Sequence, residues 1–128
     1  GGPEPPVGIS VPQAMYDDFV KISEPIQKIR PDYPFEVKVR EPRKRPTRMG
    51  GTDASVFAIE GVPTLGFTTE DFKGYDFDYG EIWHTERDLY TKNIPEYQEH
   101  TATVTAIIAL GVANLDKQLS REGLYTEE

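Results

Sequence analysis

The run GGTDASVFAIEGVPTLGF, residues 50–67, decides the fold class. Gly50 and Gly51 form a glycine-rich turn. Thr52 or Asp53 then stands where a side-chain oxygen caps a short helix through Ala54-Ser55-Val56-Phe57-Ala58-Ile59-Glu60. Gly61 suits the left-handed stop that ends many helices, because it carries no Cβ to clash. The apolar run Val62-Pro63-Thr64-Leu65-Gly66-Phe67 follows and is expected as a buried strand. Helix, glycine, then apolar strand is the order of a layered α/β protein.

Upstream, Phe35-Glu36-Val37-Lys38-Val39-Arg40 alternates apolar and charged residues, the pattern of a strand with one buried face. The turn Pro31-Asp32-Tyr33-Pro34 precedes it. Before that, Met15, Phe19, Ile22, Ile26 and Ile29 form one apolar helical stripe, with Ser10 as N-cap ahead of Val11-Pro12. Pro25 interrupts the stripe, so the helix should kink there or restart with Ser23 as a second cap. Residues 1–9, which open GGPEPPVG, are expected as a lead-in loop.

Downstream, residues 68–90 lack periodicity but carry Asp71, Phe72, Gly74, Tyr75, Phe77, Tyr79 and Gly80. Long irregular segments inside compact domains usually serve function. Asn93, with Pro95 and Glu96 after it, makes a capping-box start for the last helix. Tyr97, Thr101, Val104, Ile108, Val112, Leu115 and Leu119 carry that helix to near Ser120. Residues 121–128 are expected as a frayed acidic tail.

The 128 residues fit one modest domain, or part of a larger one, and are apolar enough to bury a core. Fourteen Lys and Arg stand against 22 Asp and Glu, a net charge of −8 that repels nucleic-acid backbones and anionic membranes. No nucleic-acid partner is therefore expected. A local basic cluster, Arg40, Arg43, Lys44, Arg45 and Arg48, lacks aromatic neighbours for base stacking. It reads as a solvated loop or a surface facing an acidic partner segment. No cysteine is present, which excludes thiolate chemistry, and no apolar run suggests a membrane span.

Only two histidines are available for imidazole chemistry. His100 falls in the first turns of the last helix and reads as structural. His84, in Ile82-Trp83-His84-Thr85, follows the aromatic and acidic loop and is the stronger candidate.

Three stretches in order, Gly50-Gly51-Thr52-Asp53-Ala54-Ser55-Val56-Phe57, Glu60-Gly61-Val62-Pro63-Thr64-Leu65-Gly66-Phe67 and Trp83-His84-Thr85-Glu86-Arg87-Asp88, resemble the C-terminal half of the co-catalytic zinc exopeptidases. That family includes bacterial leucyl-type aminopeptidases, glutamate carboxypeptidase-like enzymes and animal glutaminyl cyclases. The resemblance covers roughly residues 50–119, and it implies a three-layer sandwich, a mixed β-sheet with helices on both faces. It also implies two zinc ions, which lower the pKa of a shared water and polarise the scissile carbonyl. The late His-Thr loop of the family supplies the final zinc ligand, which makes His84 the metal ligand here.

By the same resemblance Asp53 sits behind the metal ligands, although a plain helix cap explains it equally. Gly50 and Gly51 would let backbone approach a substrate, or simply make a tight turn. Tyr75, Phe77, Tyr79 and Trp83 line a substrate pocket or pack the loop. The family's upstream His, Asp and Glu ligands and its general base have no counterpart, and no HExxH occurs. Residues 1–128 are thus expected to be the C-terminal portion of one catalytic domain whose partners are a peptide substrate and the missing N-terminal half. The resemblance suggests a secreted or periplasmic parent. Two other functions stay open: a non-catalytic binding domain of the same fold, and a glutaminyl cyclase-like acyltransferase. Animal cyclases carry Asp-Asp-His where this chain has Gly51-Thr52-Asp53-Ala54.

Overall fold

A computed structural model describes residues 4–75 and 79–126. The chain is a small mixed α/β protein built on a three-stranded sheet in the order β2-β1-β3. The central strand, β1 (Pro6–Pro12), pairs parallel with β2 (Glu36–Arg40) and antiparallel with β3 (Phe67–Thr69). Ile9 stands opposite Val37 on one side and Phe67 on the other.

β1 corrects the expectation of a lead-in loop over residues 1–9 and of a helix capped by Ser10. Ile9 and Val11 alternate with Gly8 and Ser10, so two apolar side chains share one sheet face and are buried there. The prolines that suggested a loop stand at the two ends of the strand, where a missing N–H is tolerated. Gly8 is needed for close approach rather than for a turn: a Cβ there would sit 2.5 Å from the Glu36 carbonyl oxygen.

After a 3₁₀ turn at Gln13–Met15, α1 (Tyr16–Ile29) runs as one element through Pro25, and no restart occurs. Pro25 and Lys21 are both exposed, so water can serve the carbonyl that the proline leaves unbonded. Ser23 is buried and its hydroxyl donates to the Val20 carbonyl at 3.0 Å instead of capping a second helix. Phe19 and Ile26 carry the buried face, while Ile29 lies outside it, exposed.

α2 (Ala54–Ile59) and its stop at Gly61, with φ of 73°, follow the sequence expectation. The cap does not. Asp53 already has helical φ and ψ and makes no capping bond; the Ser55 amide and hydroxyl both donate to the Thr52 carbonyl. The strand expected over residues 62–67 is not formed there: β3 begins at its last residue, Phe67, and pairs with β1 through Thr69, while Pro63 has no donor to give a ladder.

Within the loop expected at residues 68–90 lies α3 (Tyr79–Ile82), and a 3₁₀ turn at Tyr90–Lys92 precedes the last helix. That helix, α4 (Pro95–Ala113), starts from an extended Ile94 with no side-chain cap, so neither Asn93 nor Glu96 forms the capping box. It ends at Asn114, short of Ser120, although Leu119 still packs against the core. α1 and α4 pack against one another and onto the Ile9–Val11 face of the sheet. Ile9, Val11, Met15, Phe19, Ile26, Val104 and Ile108 form that core.

Through residue 126 the expected frayed tail is docked. Leu124 is 1% exposed, the Thr126 amide donates to the Arg43 carbonyl at 3.0 Å, and the Tyr125 hydroxyl donates to the Ala58 carbonyl at 3.2 Å. Among the described residues no helix is long and apolar enough to cross a membrane.

Candidate functional site

The segment from Asp71 to Lys92 is fastened at both ends, and His84 stands in its later part. The first fastening is made on α4. Tyr97 is fully buried, and its hydroxyl donates to Asp71 Oδ1 at 2.6 Å while accepting from the Lys73 amide at 3.0 Å. Asp71 Oδ1 also accepts from the Tyr75 amide at 3.0 Å. One residue earlier on α4, Glu96 accepts from Tyr33 Oη at 2.5 Å, from Tyr75 Oη at 2.7 Å and from Lys73 Nζ. Phe72 closes the cluster edge-on against Tyr33, with centroids 5.0 Å apart.

The electrostatics of this cluster suit a clamp. Hydrogen bonds from Lys73, Tyr33 and Tyr75 hold the Glu96 carboxyl down at about 2. Burial, with Glu96 beside it, pushes the Tyr33 phenol up to about 12. Burial and the bond to Asp71 raise Tyr97, and the bond to Glu96 raises both Tyr75 and Lys73. A general acid or base works best with a pKa near the operating pH. Here each group is driven away from neutrality into one fixed charge state.

His100, next along α4, is fully buried against the Tyr33 ring at a centroid distance of 4.1 Å. Neither of its ring nitrogens makes a hydrogen bond of normal geometry. Burial lowers its pKa; the Pro6 carbonyl opposes that shift and Arg30 adds to it.

The second fastening surrounds α3. Ile82 is buried, and Lys92 Nζ reaches Glu81 Oε1 at 3.2 Å. The Thr85 hydroxyl donates toward the last carbonyls of the helix, Glu81 at 3.0 Å and Ile82 at 2.9 Å, and its amide bonds Ile82 at 3.0 Å. Between these anchors Trp83 and His84 are exposed, their rings edge to face at 4.7 Å. His84 has φ of 52°, and among the described residues it alone, apart from glycines, is left-handed. That conformation just past a helix end usually belongs to glycine, and a side chain there costs roughly 1–2 kcal/mol. No hydrogen bond or ion pair joins the His84 ring to any described residue.

The other sequence candidates do not converge on this turn within the described contacts. Asp53 is exposed at the start of α2. Gly50 and Gly51 are exposed with no positive φ, and a Cβ on Gly51 would meet nothing within 4 Å, so no tight turn requires glycine there. Tyr75 is committed to Glu96. Phe77 lies outside the described residues, as does the side chain of Tyr79, whose backbone begins α3. Among the described residues no group of three or more His, Cys, Asp or Glu side chains could hold a metal ion.

Glu96, Tyr97, Asp71, Lys73 and Tyr33 were not singled out as site residues by the sequence. Glu96 sits at a capping-box position, and its partner Tyr33 is 63 residues away, a separation that leaves no local signal. No protein-family model, no curated protein and no solved structure matches this chain.

Proposed function

We propose that this chain is the C-terminal portion of a zinc-dependent exopeptidase, an aminopeptidase that hydrolyses the N-terminal peptide bond of its substrate. The observation that carries the reading is the backbone of His84. An exposed imidazole with no hydrogen bond or ion pair to a described residue occupies a left-handed position where glycine would cost less. Backbone strain of this kind clusters at binding and switch sites, which supports a binding role for the ring. Thr85 and Ile82 hold the turn on either side, so the ring is carried on a fixed frame.

The described side chains do not by themselves form a zinc site, and His84 supplies one arm only. In this reading the other ligands and the general base come from an N-terminal half of the domain. What supports a larger sheet is that β2 pairs on one side only among the described residues, which leaves its outer edge open to a further strand. Here β2 is an edge strand and Val39 is 44% exposed. A further strand beside β2, as the proposed three-layer sandwich would have, would cover it. Asp53, Gly50, Gly51, Trp83 and Tyr79 are the residues we place around the substrate or behind the ligands.

The test is His84→Ala in the intact parent protein, read by metal analysis and by hydrolysis of aminoacyl substrates. Zinc content should fall, and turnover should drop by at least roughly a hundredfold. Undiminished zinc and turnover would reject the assignment.

A further inference from the structure

The basic segment 40–48 and the C-terminal hook at residues 121–126 meet beside the end of α2. Arg45 Nε donates to the Ile59 carbonyl at 2.7 Å, and its Nη2 reaches the same oxygen. That fixes the guanidinium plane and leaves the Nη1 edge unused. Arg121 reaches the same glycine. A Cβ on Gly61 would lie 3.6 Å from Arg121 Nη1 and 3.8 Å from Arg45 Nη1. Both guanidinium groups therefore reach ordinary contact distance of one glycine, whose φ of 73° disfavours any side chain.

Neither guanidinium forms an ion pair with a described residue. Both border a cavity of about 790 Å³ whose wall includes Thr47, Tyr125 and Thr126, and also Glu122, which pairs with neither arginine. A second cavity, of about 380 Å³, shares Glu122 and Gly123 with the first and is lined by Arg40. Arg40 Nε is buried there without a hydrogen-bond partner. Capping the end of α2 explains the inner edge of Arg45. It explains neither its free outer edge nor the presence of Arg121 beside it.

We propose that the Arg45–Arg121 cavity binds a small oxyanion ligand, one bearing a phosphate or a carboxylate. Two like charges held side by side in a protein of net charge −8 repel each other until an anion lies between them. The planar guanidinium edge matches the paired oxygens of both groups. The threonine hydroxyls in the wall supply further donors, and the volume falls in the roughly 300–1,000 Å³ range of small-molecule sites. The site is independent of His84 and of the peptidase reading.

The experiment is a titration of the ¹⁵N-labelled full chain, in chloride buffer, with inorganic pyrophosphate and separately with glutarate. The amides of Gly61 and Gly123 and the Arg45 Nε resonance should shift and saturate, with half-saturation at or below about 1 mM for the preferred anion. Preference for pyrophosphate assigns phosphate as the ligand group; preference for glutarate assigns carboxylate. Because Arg45→Ala also removes the bonds to Ile59, Arg121→Gln is the deciding variant, and it should weaken binding at least roughly tenfold with the amide spectrum otherwise unchanged. Shifts that never saturate with either anion, or equal affinity in Arg121→Gln, would overturn the proposal.

Discussion

The two ends of the segment that joins β3 to α4 are built on opposite principles. At residues 71–75 the polar side chains are tied down: Asp71, Lys73 and Tyr75 are bonded to Tyr97 and Glu96, and the Glu96 carboxyl is held well below its usual range. At residues 83–84 the rings are exposed, and the backbone is in a conformation that its own residue type disfavours. Strong pKa perturbation is often taken as a sign of a catalytic site. Here it marks the fastening, whereas the strained backbone belongs to His84, the residue proposed above to bind metal. The difference teaches that strong pKa shifts and backbone strain can sit at separate places in one segment, the first with satisfied polar groups and the second with exposed rings.

The largest effect should come from dismantling the fastened end. Tyr97→Ala removes a fully buried aromatic ring, and should lower unfolding free energy by about 3–5 kcal/mol in urea titration. Tyr97→Phe keeps the ring but leaves Asp71 without its hydroxyl donor, and should cost about 1–3 kcal/mol. If both variants are as stable as the parent chain, the cluster is not a fastening.

Acid should undo the same end in two separable stages. His100 has its folded pKa lowered below 6.5, so the unfolded chain binds the extra proton first. The stability it contributes is complete above that value and is lost as pH falls toward the lower folded value. Glu96, lowered from 4.5 to about 2, contributes stability that is present above 4.5 and lost as pH falls from there toward 2. His100→Leu should flatten the first stage and Glu96→Gln the second, in denaturation curves collected across pH. Unchanged slopes in either variant would remove that group from the explanation.

Much of the scaffold was legible because it is local. The alternation at 35–40 gives β2, the stripe from Met15 to Ile26 gives α1, and Gly61 ends α2 as its position suggests. β1 was hidden because Gly8 and the flanking prolines read as breakers. The reason for Gly8, the Glu36 carbonyl lying against it, is a long-range fact. The docked tail was hidden for a similar reason: Leu124 is a single apolar residue with no periodicity around it. In the candidate site, His84 was legible as a loop imidazole between aromatic and polar neighbours. Its left-handed backbone was not, because nothing in Trp83-His84-Thr85 announces where α3 stops. Glu96 misled, since a capping-box spacing outweighed three partners drawn from Tyr33, Lys73 and Tyr75.

The smallest change in stability carries the most direct test: His84→Gly and Glu96→Gln compared side by side in the intact protein, by urea unfolding and zinc analysis. Glycine at position 84 relieves the left-handed strain and adds chain entropy to the unfolded state, for a net change between zero and about 1 kcal/mol of added stability. His84→Gly should therefore stay folded and lose zinc, while Glu96→Gln should loosen residues 71–75 and keep its zinc. A His84→Gly protein that unfolds more easily yet holds its full zinc, beside a Glu96→Gln protein that is stable but metal-free, would contradict the division of roles between the two turns.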